Sequence, residues 1–181
     1  IYVDAENDPP VLSYIGSHET DEDVPLSIEI SGTDQDPGTD LSFTAESDTS
    51  AVEAEIQDGI LTLIPELNWH GSVMITVTVS DGFLSDSETF ELTVNSVNDL
   101  PEIDLSDLPD GVSFAEDDSL TVDFSGYVSD VDGDELTLGA SPNQNLIISI
   151  EGLTVTFTTV FNYNGSDVVT FTVYEGQGEF S

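Results

Sequence analysis

Asn98-Asp99-Leu100-Pro101 repeats Asn7-Asp8-Pro9-Pro10, and the reading of that pair decides the fold. Working outward from it, Glu22-Asp23 returns as Glu116-Asp117. Each is followed by an apolar alternation, Leu26, Ile28 and Ile30 in one case and Leu120, Val122 and Phe124 in the other. Asp34-Gln35-Asp36 returns as Asp130-Val131-Asp132, and Asn68-Trp69-His70-Gly71-Ser72 as Asn162-Tyr163-Asn164-Gly165-Ser166. Paired landmarks lie 91 to 96 residues apart. Landmarks in one order at near-constant spacing signal tandem homologous domains. We place repeat one at 7–97 and repeat two at 98–181. Residues 1–6 align with Leu92–Val97 and read as the strand tail of a preceding repeat, or as a donated strand.

Within repeat one the pattern predicts seven strands, near 10–15, 25–31, 41–45, 51–56, 59–64, 72–80 and 87–95. Turn clusters of Gly, Asp, Ser and Pro separate them, and no helical period is sustained. Short strands at this spacing, about 90 residues per unit, predict an all-β chain of two tandem immunoglobulin-like Greek-key β-sandwiches. The second lacks its last strand within the sequence, which stops at Ser181 where repeat one would begin its seventh. An open sheet edge of that kind is a template for pairing, so a neighbour's strand near Ile1 is one expected filler. The chain begins at Ile1, not Met, and reads as a processed or excised piece of something longer.

Composition narrows the function. The 181 residues hold 38 Asp and Glu and no Lys or Arg, for a formal net charge of −38. About a quarter of an ordinary domain is charged, with both signs mixed. Two carboxylates about 4 Å apart repel by roughly 4 kcal/mol at an effective dielectric of 20. Wherever the fold gathers acids, the counter-charge comes from outside, and a hard, oxygen-loving cation such as Ca²⁺ is expected. Nucleic acid is excluded as a partner, because nothing can displace phosphate counterions. Adhesion to anionic membrane surfaces needs polybasic segments, and no apolar run is long enough to insert directly. Cysteine is absent, so neither disulfides nor thiol chemistry is available.

The Asp-x-Asp loops are the strongest candidate sites. Carboxylates on alternate residues of a tight loop can chelate one ion, and Asp130-Val131-Asp132-Gly133-Asp134 offers three. It resembles the opening of a helix–loop–helix calcium site, but the Leu-Thr-Leu run that follows is a strand. Asp, Asn and Gly are also ordinary turn formers. Their repetition beside Asn-Asp segments, in a chain without cations, favours metal.

These ordered motifs, with Val79-Ser80-Asp81-Gly82, resemble the cadherin-like and bacterial immunoglobulin-like tandem repeats of large bacterial surface proteins and adhesins. The resemblance covers nearly the whole chain. It implies a rod of sandwiches on the cell surface, extracellular, stiffened by Ca²⁺ and without catalysis. It implies a junction site drawing on Glu22, Asn98, Asp99, Asp130 and Asp132, with Asp134 and Glu175 as additional ligands. A preceding junction would use Asn7, Asp8, Asp34, Asp36 and Asp81, and Glu116 is the repeat counterpart of Glu22. Expected partners are neighbouring repeats of the same or an identical chain, and a cell-surface or glycan ligand. The alternatives are a filament or surface-layer subunit joined by strand donation, and a carbohydrate-binding appendage of a secreted enzyme. Departures are Tyr174-Glu175-Gly176 in place of Ser80-Asp81-Gly82, and Asn68 and Asn162 where cadherins carry an acid.

Other residues are read as structural. Trp69 and Tyr163 are repeat-equivalent beside a Gly turn, which predicts a corner or core contact instead of a sugar platform. His18 and His70 lack the spacing of a zinc site, and His70 with Ser72 makes no catalytic triad. Asn164-Gly165-Ser166 is a glycosylation acceptor only in a source that modifies it. The absence of Lys and Arg removes every site for trypsin-like proteases, and equally suits a saline habitat.

Overall fold

The computed structural model describes residues 6–108 and 111–176. The chain divides into two compact units, Ile1–Val97 and Asn98–Ser181. The strand expected over residues 1–6 lies outside the described residues, apart from Glu6.

Unit one consists of β1 (Val11–Leu12), β2 (His18–Asp21), β3 (Leu26–Glu29), β4 (Gly32–Thr33), β5 (Ser42–Ser47), β6 (Val52–Gln57), β7 (Ile60–Pro65), β8 (Gly71–Ser80) and β9 (Ser85–Asn95). The sheet β2-β9-β8-β5 faces the sheet β3-β7-β6, and β1 pairs with β4 at the side. All pairings are antiparallel except β2 with β9. The alternation in β8 sets the core: Val73, Ile75, Val77 and Val79 point inward, while Thr76 and Thr78 point out. Phe90, Leu92 and Val94 of β9 and Leu61 and Leu63 of β7 close around them.

Unit two consists of β10 (Glu102–Ile103), β11 (Ser119–Asp123), β12 (Val128–Ser129), β13 (Leu136–Ala140), β14 (Leu146–Glu151), β15 (Thr154–Thr159) and β16 (Phe171–Glu175). Its sheets are β11-β15-β14, β13-β16 and the short pair β10-β12. Phe124, Leu138, Val155 and Phe157 form its buried centre, with Phe171 tilted against Phe124 at 4.8 Å between ring centroids.

The hairpins show why the register holds. Asp58-Gly59 joins β6 to β7 with both φ values positive, +52° and +79°, as a type I′ turn requires. Gly152-Leu153 joins β14 to β15 with only Gly152 at positive φ, +59°, the mark of type II′. Each expected strand of repeat one has a counterpart. The pattern missed β2 and β4, which are short and carry little or no apolar alternation. Among the described residues no helix forms.

Candidate metal centre

Three loops meet at one end of each unit. In unit one they are the Asn7-Asp8 segment before β1, the Asp34–Asp36 loop after β4, and the Asp81 turn after β8. Asn7 Nδ2 donates to Asp81 Oδ2 at 2.8 Å, the Asp8 N–H donates to Asp36 Oδ2 at 2.8 Å, and the Asp36 N–H to Asp34 Oδ1 at 2.7 Å. Asp81 Oδ1 also accepts the N–H groups of Phe83 and Leu84, both at 2.6 Å. The Asn7 amide first, then Leu84 and Phe83, hold the Asp81 carboxyl below its ordinary value.

Unit two repeats the arrangement. Asn98 Nδ2 donates to Glu175 Oε1 at 2.7 Å, and the Asp99 N–H donates to Asp132 Oδ2 at 2.7 Å. The Asp134 N–H donates to Asp130 Oδ1 at 3.0 Å. In both units the carboxylates fold the cap by accepting from backbone and amide groups, because no cationic side chain exists to accept from.

Among the described residues no group of three His, Asp or Glu side chains is gathered closely enough to hold one ion, Asp130, Asp132 and Asp134 included. Two of the loop's carboxylates are already engaged by backbone groups: Asp130 Oδ1 accepts the Asp134 N–H, and Asp132 Oδ2 accepts the Asp99 N–H. What remains is nonetheless suited to a cation. Asp34 Oδ2, Asp130 Oδ2 and Glu175 Oε2 are buried and hydrogen-bond to nothing. A buried carboxylate oxygen left without a partner is costly. A hard cation bound by Asp34 and Asp36 in unit one, or by Asp130 and Glu175 in unit two, would relieve it, with further oxygens from water and carbonyls.

Glu22 sits elsewhere. It is 4% exposed, its Oε1 accepts the Val97 N–H at 2.6 Å, and its Oε2 lies 3.7 Å from His70 Nδ1. It adjoins the end of β9, whereas Asp81 adjoins the start, so the length of an 11-residue strand, about 35 Å, separates them. Glu22 therefore shares no ion with the cap of its own unit. Its counterpart Glu116 is exposed.

The sequence reading missed several polar groups. Asp86 Oδ2 accepts the Leu12 N–H at 2.9 Å, and the Glu88 carboxylate accepts from Ile15 at 2.9 Å and Gly16 at 3.0 Å. The available signal was parity: both acids share the face of β9 that carries Phe90, Leu92 and Val94. Asn68 and Asn162 adopt φ of +56° and +55°, a left-handed conformation that Asn tolerates. Their N–H groups donate to Asp23 at 2.8 Å and to Asp117 at 3.4 Å. The aromatic residues before Gly act as corners: the Trp69 ring lies over Gly71, and Tyr163 lies over Gly165.

The bacterial Ig domain model matches residues 7–95 and again 98–181. The chain belongs to the bacterial Ig domain family. Among solved structures it is similar to the cadherin repeats of a protocadherin, PcdhgB3 EC1-4. The identity is 17% and the TM-score 0.51, over 88% of this chain and 42% of that one. Protocadherin gamma B7 extracellular cadherin domains 1–4 are 22% identical over 98% of this chain and 48% of theirs, with a TM-score of 0.47. An endo-fucoidan hydrolase of glycoside hydrolase family 107 is 21% identical over 98% of this chain, with a TM-score of 0.44. The bacterial Ig domains here span 28% of the length of that hydrolase. No curated protein matches. At these identities the likeness to cadherin repeats is one of fold.

Proposed function

We propose that this pair of bacterial Ig domains is a non-catalytic structural or adhesive module, a calcium-stiffened segment of an extracellular surface-protein rod. Its expected partners are neighbouring repeats and a surface or glycan ligand. The observation that carries the reading is the repeated cap: two units build the same acidic arrangement, leaving one buried carboxylate oxygen unpaired in unit one and two in unit two, in a chain with no basic side chain. When bound, Ca²⁺ would supply the missing positive charge and fix loop geometry. The residues themselves hold the loops in register through their backbone acceptors.

Thermal unfolding with and without EDTA tests this. Sites of the extracellular class bind at about 10⁻⁴–10⁻³ M. At about 2 mM Ca²⁺ linkage then adds roughly 0.6–1.8 kcal/mol per site, a rise of several degrees in Tm. Unit two, with two unpaired oxygens against one, gains more, and Glu175→Gln removes most of its extra gain. A Tm indifferent to chelation defeats the calcium reading and leaves the structural one standing.

A further inference from the structure

An open trough of about 720 Å³ wraps the edge of β13 in unit two. Its outer wall is formed by Thr137, Gly139, Ser141, Thr170, Thr172 and Tyr174, and Ile148 and Ile150 of β14 line its other side. None of its lining residues is charged, although the chain carries 38 acids. The Tyr174 ring lies on the sheet over Gly139, so close that a Cβ there would meet Cε2 at 2.9 Å. Tyr174 stands directly opposite Thr137, and Gly139 opposite Thr172. The ring is still 41% exposed. The result is a half-exposed aromatic surface ringed by hydroxyls.

Unit one lacks this arrangement. Its equivalent strands pair Ser42 with Ser80 and Thr44 with Thr78, so Ser80 replaces Tyr174 and Thr44 replaces Gly139. The glycine makes room for the ring and the ring occupies that room, a paired change confined to one domain. A structural need to cover a strand glycine explains the contact. It does not explain why the glycine is there, or why the surrounding trough is uncharged.

We infer that this trough binds a neutral oligosaccharide, an inference that rests on the proposed adhesive role and specifies its glycan partner. A pyranose ring offers an apolar face to stack on Tyr174 and hydroxyls to exchange hydrogen bonds with Ser and Thr, which both donate and accept. The volume falls within the range of small-ligand sites. The choice of a neutral ligand follows from charge: a chain of formal charge −38 repels anionic glycans, and the trough holds no cation to offset that repulsion.

The test is an amide chemical-shift titration of the 181-residue chain with cellohexaose, xylohexaose and mannohexaose, with hexagalacturonate as the anionic arm. Saturable shifts at Thr137, Thr172 and Tyr174 with at least one neutral hexasaccharide, and none with hexagalacturonate, are expected. Tyr174→Ser weakens binding about five- to tenfold, Gly139→Thr does the same by displacing an intact ring, and Tyr174→Phe binds nearly as well as wild type. The inference is overturned if no neutral sugar causes saturable shifts, if the anionic one binds equally, or if Tyr174→Ser and Gly139→Thr leave affinity unchanged. Shifts on β13 that track protein concentration alone would identify self-association and overturn it as well.

Discussion

The two units share motifs but not the surroundings of the strand that carries the Val77–Val79 or Phe171–Val173 run. In unit one β8 is flanked on both sides, by β5 and β9. Its equivalent in unit two, β16, pairs only with β13 among the described residues. Among the described residues, unit one buries 12 in its central cluster and unit two buries four, a difference to which Phe90, Leu92 and Val94 of β9 contribute directly. The comparison also explains β2. That strand reads His-Glu-Thr-Asp, with no apolar pattern, and its one pairing is parallel to β9. Its counterpart in unit two, near residues 111–116, forms no strand. In unit one β2 owes its strand conformation to pairing with β9, because its own sequence carries no apolar pattern.

Removing a β9 anchor should therefore have the largest effect. Phe90 is 3% exposed and touches His18 edge-on at 5.8 Å. Phe90→Ala is expected to cost about 3–5 kcal/mol and to bring unit one down toward unit two, whose own unfolding stays unchanged. Denaturant unfolding read by unit-resolved hydrogen exchange measures both. A loss below about 1 kcal/mol would mean that β9 does not account for the contrast between the cores.

The next effect separates charge from packing. Glu88 has no equivalent among the described residues of unit two, and its carboxylate holds two backbone N–H groups, those of Ile15 and Gly16. Glu88→Ala strands both donors in a part-buried site and is expected to cost about 1–3 kcal/mol. Glu88→Gln, which keeps one acceptor, should recover part of that. Equal losses from both variants would assign the effect to charge instead of hydrogen bonding.

Long strands such as β7, β8 and β9 were legible because strict alternation reports one buried face. Strands made by tertiary pairing, β2 and the two-residue β4, carry no such signal. The acidic caps were legible as repeated motifs, but the roles inside them were not. Sequence spacing suggested that Asp130, Asp132 and Asp134 face one ion, while the loop turns two of them onto backbone N–H groups. Glu22 was grouped with the cap residues of the following repeat by resemblance, and pattern alone gave no sign that it is buried and accepts the Val97 N–H. Tyr174 stood out only as a departure from repeat one. Its meaning depends on Gly139, 35 positions earlier, which becomes its neighbour only when β13 pairs with β16.

The smallest expected effect concerns the two caps and pH. Asp81 accepts one amide and two backbone hydrogen bonds, whereas Glu175, its counterpart, accepts one from Asn98 and leaves its second oxygen unpartnered. The Asp81 carboxyl is held below its ordinary value near 3.8, with the Asn7 amide as the largest cause. A carboxyl depressed in the folded state contributes stability that is fully present above its unfolded value and fades as pH falls through the folded one. Asn7→Ala should raise the Asp81 pKa toward 3.8 and move the acid limb of unit-one stability to higher pH, with unit two unaffected. A carboxyl ¹³C titration of Asp81 reads the shift directly. Because Asp81 is solvated, the stability change itself should be slight. A pKa that rises without moving the acid limb would show that the Asn7–Asp81 contact orders the cap without stabilising the domain.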